Sequence, residues 1–355
     1  MEICEARDLN ELATAERLSA LVYLDSLSVG PLREVLMGIS EEKWPCRMSK
    51  QEWDRVIEGA KQDNLPLSIL TTEEDVSGHR AVLFGDRDRH GYVVFRGTGS
   101  DEEWEDNAKG MLDADTPQQK KAADFVLKAH RHFRHITVAG HSKGGNKAQY
   151  AAITLDCVDR CFSFDGQGFS VAFCEKYKEA IERRKPVLNL ISERRGFVHA
   201  LGINVAKTRY LAGWRGDPRP GHPHGDPLPY FHCPDALRSS DGALGKESSN
   251  NPIPEVVNRL VCYFLQNPKY SKHWEVTAKG LTALMIHEKK QKKEPVSETA
   301  VAIAHMLGAA RSLAARDMSY RRLVAMMAIR ERNVLLASLG AAEWELLRGV
   351  IKAAH

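Results

Sequence analysis

The sequence predicts an α/β fold, a central sheet flanked by helices with a further helical region at the C-terminal end, and three observations carry that expectation. Short apolar, largely β-branched or aromatic runs recur through the middle of the chain: Ala81 to Phe84, Tyr92 to Phe95, Ile136 to Ala139, Cys161 to Phe164 and Pro186 to Ile191. Segments with apolar residues three or four apart separate most of them, which is the spacing of a helix packed on a sheet. The Ile136 run ends in Gly140-His141-Ser142-Lys143-Gly144-Gly145-Asn146, a Gly-x-Ser-x-Gly turn between a strand and a helix.

With 355 residues the chain can bury a large core, as one α/β domain with appendages or as two domains. A formal net charge of +3 gives no global argument for nucleic acid as a partner. The seven cysteines are odd in number, scattered and without CxxC pairs, which suits free thiols in a reducing compartment. Met1 to Asp8 has no basic stretch followed by an apolar core, and no apolar run approaches membrane-spanning length. The expectation is a cytoplasmic protein, or one exported without a cleavable signal peptide.

Taken in order, residues 1–75 read as a helical layer. Leu18, Leu21 and Val22 give one apolar stripe, and Trp53, Val56, Ile57 and Ala60 give another, with Gly30-Pro31 and Trp44-Pro45 as breakers between them. The catalytic core is placed at 76–250. Ala81 to Phe84 and Tyr92 to Phe95 form a hairpin around a polar turn from Gly85 to Gly91, and the sheet is expected to begin there. A helix follows Thr116 as N-cap and Pro117 as its first residue, burying Ala122, Phe125, Val126 and Ala129. The basic cluster from His130 to His135 at its end reads as a solvated face that complements the helix dipole.

Next comes the elbow. A serine exposed on a sharp strand-to-helix turn takes a strained backbone, and flanking glycines remove the Cβ clashes there. The Lys143 amide opens the following helix, where developing negative charge is favoured, so it is a candidate oxyanion donor. Strand, helix, strand, serine, helix is the central order of an α/β-hydrolase. Beyond it, Cys161 to Phe164 is a strand ending at Asp165, Val171 to Arg184 a helix, and Pro186 to Ile191 a further strand ending near Glu193.

Val94-Phe95-Arg96-Gly97-Thr98, with Trp104 shortly after, resembles the strand and oxyanion loop of class 3, fungal-type lipases. Asp165-Gly166-Gln167-Gly168-Phe169 and His232-Cys233-Pro234 resemble motifs of an uncharacterised bacterial branch of that family. The resemblance runs roughly from Ala81 to Gly242. It implies that Thr98 contributes its amide, and often its hydroxyl, to an oxyanion hole. Acyl transfer independently asks for one such donor after the nucleophile and one from an earlier strand-end loop. The sequence departs from the family at Asn107, where an aspartate is usual; here Asp106 stands one residue early. The acidic stretch from Glu102 to Asp115 does not read as an apolar interfacial lid, which favours esterase over lipase behaviour.

A Ser-His-acid site needs an acid at a strand end after Ser142 and a histidine later still. Two acids qualify, one of which would serve. Glu193 follows the strand that carries the family's aspartate, with Arg194 and Arg195 beside it, whereas Asp165 ends the preceding strand and is the more usual residue type. Asp165 is slightly preferred. The long Gly-, Pro- and His-rich stretch from Gly213 to Gly245 supplies the base, His232, with His224 as runner-up. His222, His224, Asp226, His232 and Cys233 also have the chemistry of zinc ligands, but their spacing matches no closed-site pattern, and neither metal nor cofactor is expected.

Residues 251–355 read as a separate helical region, with stripes at Val257, Leu260, Val261 and Phe264, at Ile303, Leu307 and Ala310, and at Trp344, Leu347 and Ile351. Lys289 to Lys293 reads as a solvated linker. These helices are candidates for a peripheral membrane or protein contact. The expected activity is cleavage of carboxylic esters, acyl esters of lipids or phospholipids among them, through an acyl-enzyme on Ser142. The alternative is a catalytically silent α/β-hydrolase fold whose helical tail engages a partner.

Overall fold

The computed structural model describes residues 2–40, 48–99, 101–213, 231–249, 251–277 and 296–330. His222, His224 and Asp226 of the metal reading, and with them the alternative base, lie outside the described residues. So do Lys289 to Lys293 and the stripe at Trp344, Leu347 and Ile351.

The described residues form a mixed α/β structure around a nine-stranded sheet whose spatial order follows the chain, from β1 to β9. The strands are β1 (Gly30–Pro31), β2 (Ser68–Glu74), β3 (Arg80–Gly85), β4 (His90–Phe95), β5 (His135–His141), β6 (Arg160–Phe164), β7 (Leu188–Glu193), β8 (Thr208–Ala212) and β9 (Lys246–Ser248). β1 to β4 pair antiparallel, β4 to β8 pair parallel, and β9 closes the far edge antiparallel. The sheet therefore starts earlier than the expected Ala81. The Ser-Ile-Leu-Thr-Thr-Glu-Glu run of β2 is mostly polar and exposed, so it carries little of the apolar alternation by which a strand is read.

Every parallel step from β4 to β8 moves the same way across the sheet, so right-handed crossovers place the connecting helices on one face. That face buries Leu83, Val93, Phe95, Ile136 and Val138 against Phe125 and Val126 of α5 (Pro117–His130) and Ala148, Ala151 and Ala152 of α6 (Lys143–Thr154). The opposite face would be bare without the N-terminal helices. Val82, Phe84, Val94, Ala139 and Phe162 pack there against Leu18 and Leu21 of α1 (Glu2–Leu21) and Trp53 and Val56 of α3 (Lys50–Asp63). The short α2 (Leu32–Met37) lies between α1 and α3 in sequence.

α5 starts as its sequence predicts: Thr116 accepts from the Gln119 amide and the Gln119 side chain returns to the Thr116 amide, a capping box with Pro117 just inside. His130, Arg131, His132, Arg134 and His135 are exposed. The predicted helix from Val171 to Arg184 is instead two, α7 (Val171–Lys176) and α8 (Lys178–Arg184), broken at Tyr177, whose hydroxyl donates to Asp115 at 2.7 Å. Pro186 sits in a 3-10 turn before β7 and not in the strand, in keeping with its missing amide donor.

After β9 the described residues are mostly helical: α9 (Pro252–Gln266), α10 (Pro268–Ser271), α11 (Val296–Arg316) and α12 (Met318–Arg330), with a core that includes Val256, Leu313, Tyr320 and Val324. The other side of α9 buries Val261 and Phe264 with Met111, next to Val171 and Leu201 of the sheet region. Among the described residues no helix is long and apolar enough to cross a membrane. Cys157, Cys161, Cys174, Cys233 and Cys262 are free thiols.

Candidate active site

Between β5 and α6 the chain turns on Ser142, whose backbone takes φ 60° and ψ −128°. A non-glycine residue in such a conformation costs about 1–3 kcal/mol and persists only where its surroundings over-determine it. Here they do. The Ser142 amide donates to the Phe164 carbonyl at 2.9 Å, and α6 lies directly against the end of β4. A Cβ on Gly144 would stand 2.0 Å from the Phe95 carbonyl oxygen, and one on Gly140 would stand 2.3 Å from the Gly144 carbonyl carbon. The glycines on either side of Ser142 are thus fixed by close backbone contact.

Asp165 and His232 stand in line with this serine. The Ser142 hydroxyl lies 2.9 Å from His232 Nε2, and His232 Nδ1 lies 2.5 Å from Asp165 Oδ2. An ionised carboxylate only accepts, so Nδ1 of His232 carries its hydrogen and Nε2 is left as acceptor for the Ser142 proton. Asp165 is buried, with φ 43° at the end of β6, and its amide donates to the Ile191 carbonyl. Burial alone would raise its pKa, but His232 and His199 hold it well below the usual carboxylate range.

The other acid candidate, Glu193, is placed differently. Its Oε2 accepts the Arg195 amide at 2.5 Å, and its Oε1 stands 3.9 Å from the Arg195 guanidinium. Burial pushes its carboxyl up to about 7, although Arg195 opposes that. The structure brings Asp165, and not Glu193, to the His232 ring.

The loop after β4 lies over the elbow. A Cβ on Gly97 would stand 2.9 Å from the Ser142 Cβ and 2.8 Å from the His141 carbonyl oxygen, which places Thr98 one residue from the Ser142 turn. Asn107 of α4 (Asp101–Lys109) donates to the Thr98 hydroxyl at 2.9 Å. The asparagine that departs from the family pattern is thus the residue that meets Thr98. Asp106 instead pairs with Lys143 at 2.8 Å and accepts from Thr116 at 2.8 Å. Burial works against ionised Asp106, and the Lys143 ammonium outweighs it.

One turn along α6, Lys147 pairs with Glu103 at 3.2 Å, with both side chains fully buried. Burial lowers the Lys147 ammonium to about 8 in spite of that partner. Glu103 also accepts the Gly99 amide at 2.5 Å. Two buried ion pairs therefore clamp α4 to the elbow helix and hold the Thr98 loop between them. The Lys143 side chain is engaged in this clamp. Its amide opens α6, where the first-turn N–H groups have no partner within the helix.

His141 precedes the serine and packs its ring 4.5 Å from that of His232. The Tyr23 hydroxyl, from the turn after α1, bonds its Nδ1 at 2.8 Å. Burial lowers His141 to about 3, so it stays neutral beside His232. The N-terminal layer thus reaches the site through Tyr23.

Residues 70–192 match the model of a family described as Mbeg1-like. The matched stretch runs from β2 to β7; it contains Thr98, Ser142 and Asp165 and ends before His199 and His232. A comparison with curated proteins returns no match. Among solved structures, the crystal structure of M37 lipase aligns over 54% of this chain and 69% of that one, at 13% identity and a TM-score of 0.32.

Sequence reasoning passes over His199, Tyr23 and Tyr210. His199 and Tyr23 sit singly in apolar segments, where an isolated aromatic or histidine reads as core, and Tyr210 follows Thr208-Arg209 in a short strand with no motif around it. Among the described residues no group of three or more His, Cys, Asp or Glu is arranged to hold a metal.

Proposed function

We propose that the protein is an α/β-hydrolase that cleaves carboxylic esters, acyl esters of lipids being one candidate class, through an acyl-enzyme on Ser142. The observation that carries this reading is the unbroken line from Asp165 Oδ2 to His232 at 2.5 Å and from His232 Nε2 to Ser142 Oγ at 2.9 Å. It stands on a strained strand-to-helix turn. In this reading Ser142 Oγ attacks the ester carbonyl carbon as its proton passes to His232 Nε2. The imidazolium is stabilised by Asp165, and the negative charge on the former carbonyl oxygen falls to the amides of Thr98 and Lys143. His232 then gives its proton to the departing alcohol, and water repeats the sequence in reverse to free the acid.

Ser142 carries the covalent step, so a fluorophosphonate probe is expected to label the wild-type protein and to leave Ser142→Ala unlabelled. Asp165→Asn is expected to slow labelling by about 10⁴-fold, the loss seen when the orienting carboxylate of such a site is neutralised. Intact mass spectrometry with circular dichroism on the same samples reads both. Folded wild-type protein that takes up no probe would overturn the reading in favour of a silent hydrolase fold. A panel of nitrophenyl esters of increasing acyl length then separates short-chain from lipid-like substrates.

A further inference from the structure

Asp165 is held by two histidines, one on each carboxylate oxygen. Oδ2 takes His232; Oδ1 lies 2.6 Å from His199 Nδ1, 3.0 Å from the His199 amide and 3.1 Å from the Ser192 hydroxyl. His199 is buried in a single 3-10 turn, Val198–Ala200, and its Nε2 faces the Tyr210 hydroxyl of β8 at 3.1 Å. Because the carboxylate can only accept, His199 Nδ1 must carry a hydrogen, and the neutral ring then accepts the Tyr210 proton at Nε2. Burial holds the Tyr210 phenol above its usual pKa, so that proton is retained.

The turn is itself braced: Asn258 of α9 donates to the Ala200 carbonyl at 3.2 Å and to the Gly202 carbonyl at 2.9 Å. A Cβ on Gly196, just before it, would stand 2.9 Å from Asp165 Oδ2, so the backbone here packs against the carboxylate. Groups that titrate around His199 are Asp165 at the end of β6, Glu193 of β7, Tyr210 of β8, His232, and Glu255 of α9, which acts on Tyr210.

We propose that His199 is a positioning residue: with Tyr210 fixing its tautomer, it holds Oδ1 of Asp165 so that Oδ2 is presented to His232. This rests on the reading of Ser142, His232 and Asp165 as a triad. The line of hydrogen bonds is then five residues long, Tyr210 to His199 to Asp165 to His232 to Ser142. Two effects follow. The carboxylate plane is set from the side away from the reaction, which fixes the orientation of His232. Donation to Oδ1 also draws negative charge away from Oδ2, the oxygen that faces His232.

The test uses His199→Leu, which removes the donor, and His199→Asn, whose Nδ2 can take the place of Nδ1. In His199→Leu the labelling rate is expected to fall about tenfold or more, by analogy with the loss when the outer partner that orients a metal-bound histidine is removed. The His232 ring, followed by nitrogen-proton NMR through a pH titration, is expected to become charged at a higher pH than in wild type. His199→Asn is expected to restore both, and Tyr210→Phe to give a smaller change in the same direction. A folded His199→Leu protein with wild-type labelling and an unshifted His232 titration would overturn the proposal. If wild type takes up no probe but the His232 titration moves in His199→Leu and returns in His199→Asn, the esterase reading falls and the positioning role stands.

Discussion

At the position after Ser192, Glu193 and its neighbour Asp165 divide two duties between two buried carboxyls. Asp165 receives four hydrogen-bond donors and stays ionised. Glu193 receives the Arg195 amide and is pushed up to about 7 from an ordinary 4.5. A carboxyl raised in the folded state contributes stability that is fully present below 4.5 and is lost as pH rises through about 7. Glu193→Gln keeps an acceptor for the Arg195 amide and cannot ionise. Its urea denaturation curve is therefore expected to lie near wild type at pH 5 and to show greater stability at pH 8, by a few kcal/mol at most. Parallel behaviour of the two proteins across that window would refute the assignment. At this scale the sequence only leans to Asp165, because residue type favours the aspartate while both carboxylates stand at strand ends. What separates them is which one the His232 loop reaches, and that is set by a segment 67 residues further on.

The elements differ in how much their own sequence dictates. α5 is written in full, because Thr116, Pro117 and Gln119 state the cap and Ala122, Phe125, Val126 and Ala129 state the buried face. The elbow is equally legible, because Gly140, Gly144 and Gly145 are required by contacts a side chain would violate. α4 is opaque: its partners are Lys143 and Lys147 of α6, which lie buried, where lysine is seldom found unless it is paired. Glycines in two helices make the distinction testable. Gly144→Ala would put a Cβ 2.0 Å from the Phe95 carbonyl oxygen, and it is expected to cost about 3 kcal/mol or prevent folding. Gly308→Ala in α11 meets nothing nearer than the Tyr270 ring at 3.7 Å, and it is expected to stabilise by about 0.5–1 kcal/mol through helix propensity. Thermal denaturation of both variants checks the contrast, and a Gly144→Ala protein with wild-type stability would contradict the packing described for the elbow.

Across the whole molecule, the site draws on residues whose separation in sequence no local pattern reports, from Tyr23 to His232. The helical layer at the N-terminus covers a sheet face, and it also fixes the segment that carries His232. Arg238, six residues after that histidine, donates to Glu16 of α1 at 2.6 Å, to the Ala13 carbonyl at 2.9 Å and to the Gly242 carbonyl at 2.8 Å. Both side chains of the pair are buried, at 8% and 2% exposure, so removing one leaves the other charge without its partner in a dry setting. Arg238→Met is expected to cost about 3–5 kcal/mol for that reason. Glu16→Leu combined with Arg238→Met removes both charges and is expected to recover most of the loss, since an apolar pair of similar volume often replaces a buried ion pair at little cost. Stability and site geometry should then part company. In the double variant the fold is restored while the tie between α1 and the His232 segment is gone, so denaturation should approach wild type while fluorophosphonate labelling remains slow. Equal recovery of both would show that His232 is held by the surrounding apolar contacts of Cys233 and Leu237 in the core and not by Arg238.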